Sequence, residues 1–160
     1  MLVETATTGA NLIAGAIRKA AQITGIGFDY LLATARIESG LNPTIKAPTS
    51  SATGLFQFVD QTWLETLKQS GARLGYARYA DAVSRDSSGR YYVNDPSLRA
   101  EIMNLRKDPT ANALLAGAFT RQNAARLTAR LGRAPTDSEL YMAHFLGAGG
   151  AARLIASASG

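Results

Sequence analysis

The sequence predicts an all-α or α-dominated fold built as one domain. Three observations carry this. Apolar residues recur at helical spacing through most of the chain. Helix-start signals stand before several of these segments: Asp95-Pro96, Asp108-Pro109 and Thr136 with Glu139. No stretch combines sustained strand alternation with flanking hairpin turns. The 160 residues suit one domain, and a chain of this length can bury its own core.

Residues 1–10 are small and polar and read as a flexible lead-in, leaving 11–160 as the domain. Leu12, Ile13, Ala16, Ile17 and Ala20 give a first helix from about Asn11 to Gln22, broken by Gly25 and Gly27. A second helix is expected from Tyr30 to Ser39, with Asp29 as N-cap, Gly40 as the left-handed residue beyond its end and Pro43 barring continuation. Residues 40–54 read as a loop, and residues 55–59 as an extended segment or a lead into the next helix. Asp60 is expected to cap that helix, which carries Trp63, Leu64 and Leu67 to about Leu74. A short helix or turn and an exposed loop fill residues 75–94. Helices then follow from Asp95-Pro96 and from Pro109 to about Leu131, where Gly132 stops the second. Thr136 and Glu139 form a capping-box pattern ahead of Leu140 to Leu146. Gly147, Gly149 and Gly150 precede a last short helix, Ala151 to about Ala156.

Composition narrows the function. Without cysteine there is no disulfide, thiol nucleophile or Cys-based zinc site. The single histidine, His144, and the absence of a calcium-loop spacing argue against a metal or other cofactor. The net charge is +5, and residues 109–135 hold four arginines and no acid. A cationic surface attracts polyanions, but no zinc finger, glycine-rich RNA loop or aromatic platform points to specific nucleic acid binding. No apolar run approaches the roughly 20 residues of a membrane span. Residues 1–10 lack the charged and apolar regions of a signal peptide, so no export signal is expected in this chain.

Glu38 leads the candidates for chemistry. It lies in the last turn of the second helix, where the helix dipole disfavours a carboxylate. Burial there would raise its pKa and make it a protonated acid near neutral pH. By position alone, a solvated surface residue is the commoner outcome. Ser39 is a hydroxyl beside it. Gln57, after Gly54-Leu55-Phe56, could steer Glu38 or hold an amide-bearing ligand, or simply cap a backbone group. Tyr141 and His144 share one helical face, and a tyrosine hydroxyl there could bond a carboxylic acid.

Together these segments resemble the lysozyme-like soluble lytic transglycosylases. Ile37-Glu38-Ser39-Gly40-Leu41-Asn42-Pro43 is similar to the family's catalytic Glu-Ser block. Ala52-Thr53-Gly54-Leu55-Phe56-Gln57-Phe58 is similar to its Gly-Leu-Met-Gln block, with Phe56 in the methionine place and Gln57 lying 19 residues after Glu38. Tyr141 to Ala151 resembles the third, tyrosine- and glycine-containing block, but aligning the glycines puts Phe145 and Leu146 where tyrosine and asparagine usually stand. Tyr141, one turn earlier, is the tyrosine expected to reach similar space.

The resemblance implies a lysozyme-like fold related to goose-type enzymes, with Glu38 as catalytic acid/base. Ser39, Phe56, Gln57, Tyr141, His144 and Phe145 become candidate substrate-binding or supporting residues. The implied substrate is the glycan strand of peptidoglycan, cleaved without water to a 1,6-anhydro product in the periplasm or extracellular cell-wall space. A hydrolytic muramidase of the same fold, and a non-enzymatic wall-binding or assembly module, are the alternatives. A flagellar or secretion apparatus is a candidate partner.

Overall fold

A computed structural model describes residues 2–159, and side chains from residue 9 to 158. The described residues are dominated by helices α1 (Leu2–Thr24), α2 (Phe28–Ser39), α3 (Asp60–Ser70), α4 (Ala77–Ala82), α5 (Pro96–Asn104), α6 (Pro109–Leu131) and α7 (Asp137–Ser159). Short 3-10 turns cover Ala72–Leu74 and Leu105–Lys107. The α-dominated expectation holds.

Helix α6 is the axis of the domain. Residues 111–118 are buried without a break, as expected of a helical stretch that is apolar on every side but for Asn112. Its small residues let α1 pack closely along it. At Gly117 an added Cβ would stand 2.6 Å from Thr24 Oγ1, so only hydrogen fits there. The main core joins Ile17, Leu31, Leu55, Phe56, Trp63, Leu67, Ile102 and Leu115. A smaller core, centred on Leu127, Ala143, Ala151 and Ile155, binds α7 to the far end of α6.

Several expectations change in detail. Residues 2–10, read as a lead-in, continue α1, and Leu12 points to solvent rather than into the stripe. Asp29 is not the N-cap of α2. Gly27 is, and Asp29 lies in the first turn, where its charge still favours the helix dipole. Asp60 likewise starts α3 without capping it, because its carboxylate pairs with Arg106 at 2.9 Å and Arg99 at 3.6 Å. The residues 75–94 contain a two-stranded antiparallel sheet, β1 (Val83–Arg85) with β2 (Tyr91–Val93). It is too short for alternation to register. Its turn is instead held by Asp86, whose carboxylate accepts the Ser88 and Arg90 amides at 2.9 Å each. Of the glycines in α7 only Gly147 breaks the helix (φ 72°, ψ 163°), so the last helical piece begins earlier than Ala151.

The signals at Asp95-Pro96, at Gly132 and at Thr136 hold. Asp95 accepts the Ser97 and Leu98 amides. Glu139 accepts the Thr136 amide at 2.9 Å while its own amide donates to Thr136 Oγ1 at 3.2 Å. The Arg133 guanidinium grips the same carboxylate at 2.8 and 2.9 Å and is the main reason its pKa falls to about 2. The start of α7 is therefore fixed.

Candidate active site

Glu38 stands at the C-terminal end of α2, two residues before Gly40, whose left-handed backbone (φ 61°) closes the helix. Its side chain is 12% exposed. Burial raises its pKa above the usual carboxylate value, opposed by a hydrogen bond from Tyr141. That bond runs from the Tyr141 hydroxyl to Glu38 Oε1, 3.1 Å across 103 residues of sequence. Burial and the neighbouring Glu38 push the tyrosine up to about 12, so it remains a donor throughout the physiological range.

His144 follows Tyr141 by three residues and brings Nε2 to 3.8 Å from Glu38 Oε1, ion-pair range but too long for a hydrogen bond. Its ring lies among Phe119 (5.8 Å), Tyr141 (stacked, 6.1 Å) and Phe145 (5.5 Å). Burial lowers its pKa, and a hydrogen bond to the Phe56 backbone acts the other way. The imidazole is neutral at neutral pH, and so does not draw the proton from Glu38 by charge.

Glu38 and His144 face a cleft of about 380 Å³ lined also by Phe56, Gln57, Thr62, Phe119 and Phe145, with further apolar contacts; Tyr141 reaches Glu38 from outside that lining. Phe56 is buried in its wall, whereas Phe145 is 63% exposed at its rim. Among the described residues Glu38 is the sole carboxylate in the lining. Asp60 is held by the two arginines, and Asp29 lines a separate groove on which Tyr141 also borders.

Two candidates sit differently from the simplest reading of the motifs. Ser39 is buried and donates its hydroxyl to the Ala35 carbonyl at 3.0 Å, outside the cleft lining. Gln57 lines the cleft but commits its amide nitrogen to the carbonyls of Ile45 (3.1 Å) and Gly54 (2.9 Å). The backbone there is left-handed (φ 54°), an uncommon conformation for glutamine. The side-chain bonds to the loop offset that strain and hold the turn.

The support behind this wall was not singled out from sequence. Asn112, fully buried in α6, accepts the Phe56 amide at 3.0 Å and donates to the carbonyls of Thr53 and Arg106. Arg106 in turn donates to the carbonyls of Ser51 (2.8 Å) and Phe58 (2.9 Å). Gly54 fits between them only because it lacks a side chain: a Cβ would stand 2.2 Å from the Arg106 oxygen and 2.3 Å from Asn112 Nδ2. One signal was available. Asn112 is a lone polar residue in an otherwise apolar run of α6, and such a buried amide must find partners. Phe119, further along α6, packs against the core and also walls the cleft.

A helix-dominated domain that turns one shielded carboxyl into an open cleft is the arrangement a lysozyme-like fold requires. Residues 15–136 match the family model for the transglycosylase SLT domain. The chain belongs to that family, and its general role is the transglycosylase-type cleavage of peptidoglycan. The matched stretch contains Glu38, Ser39, Phe56 and Gln57, while Tyr141, His144 and Phe145 lie beyond it.

Proposed function

We propose that this domain cleaves the β-1,4 bond between N-acetylmuramic acid and N-acetylglucosamine and closes a 1,6-anhydro ring on the muramic residue. The observation that carries the reading is the shielded Glu38 carboxyl, bonded by Tyr141, in a cleft with no second carboxylate among its described lining residues. Protonated Glu38 donates to the glycosidic oxygen as the bond to C1 breaks, and positive charge develops at C1. The substrate's own acetamido group assists. The resulting carboxylate then takes the proton of the C6 hydroxyl, and that oxygen attacks C1. Both protons pass through one side chain and no water is consumed. A hydrolase acting with two carboxylates would instead need a partner within about 5–9.5 Å.

In this mechanism Tyr141 orients the acid, and the aromatic rim at Phe145 offers a face for a sugar ring. Gln57 maintains the floor through its loop bonds. Action on the wall fits a cell-wall location; no helix among the described residues is long and apolar enough to cross a membrane. A flagellar or secretion machine that needs a gap in the wall is a setting in which such an activity would be used.

Mass analysis of digested cell wall tests the product. Anhydro-ended fragments are expected, whereas reducing ends carrying an oxygen from labelled water would reject transglycosylation. Glu38→Gln is expected to slow clearing of a wall suspension by about 10²–10⁴-fold, the scale of a lost general acid. Equal clearing by the variant would remove Glu38 from the chemistry.

A further inference from the structure

We propose that Arg130 and Arg153 form an oxyanion site over Gly149, suited to a carboxylate or phosphate group. The position that a Cβ of Gly149 would occupy is 3.6 Å from Arg130 Nη1 and 3.6 Å from Arg153 Nη1. The two nitrogens therefore lie within about 7 Å of each other. They come from different elements, the last turn of α6 and the part of α7 beyond the Gly147 break. Neither has an acidic partner among the described residues, and Glu139, at the start of α7, is engaged by Arg133.

Both guanidinium groups are exposed, so solvent screens part of their mutual repulsion, and a shared counter-charge relieves the rest. A carboxylate or phosphate accepting a charge-assisted bond of about 2.8 Å from each guanidinium spans such a gap. The dipole of α6 explains an arginine in its last turn, but not the convergence of Arg153 on the same point. Arg126, exposed one turn earlier on α6, adds to the positive field. Gly149 and Arg153 lie beyond the stretch matched by the family model. In a wall-acting protein, stem-peptide carboxylates and phosphodiesters of anionic polymers both carry the required chemistry. The site itself does not depend on the reaction assigned to Glu38.

Titration of the full chain with inorganic phosphate, and separately with acetate, tests the site through the arginine Nε–Hε NMR resonances. Those of Arg130 and Arg153 are expected to move together along one saturable curve. Arg130→Gln and Arg153→Gln should each weaken binding about tenfold, the scale of one lost charge-assisted bond. Gly149→Ala keeps both charges and raises helix propensity but fills the space between them, so it too should weaken binding. Unsaturable shifts, or unchanged affinity in Gly149→Ala and in the double arginine variant, would overturn the site. Glu38→Gln should bind normally, which separates this test from that of the enzymatic reading. Retention on wall sacculi before and after removal of phosphate polymers identifies the source: survival assigns stem-peptide carboxylates, and loss assigns the polymer.

Discussion

The Tyr141 hydroxyl occupies Oε1 of Glu38. A carboxylic acid that accepts at one oxygen carries its proton on the other, so Oε2 is the atom left to meet a substrate. Tyr141→Phe removes a bond that favours the ionised form, and the Glu38 pKa should rise further. Activity that needs the protonated acid falls as pH rises through that pKa. The alkaline limb of the clearing profile should therefore move to higher pH, with the maximal rate reduced about tenfold by lost orientation. An unmoved limb would show that the tyrosine does not act on Glu38. The same burial has a cost in stability. A folded-state pKa raised above its unfolded value favours folding most at low pH, and that advantage is lost as pH rises through the folded value. Glu38→Gln should then raise the melting temperature at pH 7 by about 2–4 °C, the effect of roughly 1 kcal/mol in a domain of this size. Below the carboxylate range the gain should disappear.

At the level of elements, the cleft depends on the segment 45–58, which has little regular structure but many fixed bonds. Its carbonyls are held by Arg106, Asn112 and Gln57, and it passes closely against Asn112 of α6 at Gly54. Gly54→Ala combines a left-handed backbone (φ 89°) with a backbone clash and should cost about 3 kcal/mol or more in denaturant unfolding. Thr136→Ala should cost about 1 kcal/mol by removing half of the capping box. The helices α2, α5 and α6 and the capped start of α7 were legible because local chemistry decides them: a glycine beyond an end, an Asp-Pro start, an apolar run. Asp29 and Asp60 are not caps because the N-cap position of each helix falls before its carboxylate, at Gly27 and Val59, and sequence cannot tell that Asp60 turns out to arginines rather than back to amides. The hairpin was missed because each strand has three residues, shorter than any periodic pattern. Glu38 and Gln57 stood out through the spacing of two motifs, while Asn112 and Arg106 act through partners about 50 residues away in sequence.

Across the whole molecule, the two cores share α6 but have unequal size. The acid and the loop that forms the floor belong to the larger one, and Tyr141, His144 and Phe145 belong to an element secured by the smaller. Hydrogen exchange should be slowest in residues 111–118 and faster in α7, since fewer buried apolar contacts resist opening there. Equal protection of both would make the domain a single cooperative block. Net charge of +5 also gives the molecule a general attraction to anionic surfaces. Wall retention should weaken as salt rises from about 0.05 to 0.5 M, where the screening distance falls below 10 Å.

The division between the cores has a consequence for divergence. Because the Glu38–Tyr141 contact is reached across 103 residues and from helices anchored in different apolar clusters, the proposed partner of the acid can drift along its helix with little disturbance to the cluster beside the acid. On the proposed reading, Tyr141 takes the part of the family's tyrosine from one turn earlier, and such an arrangement tolerates that rewording.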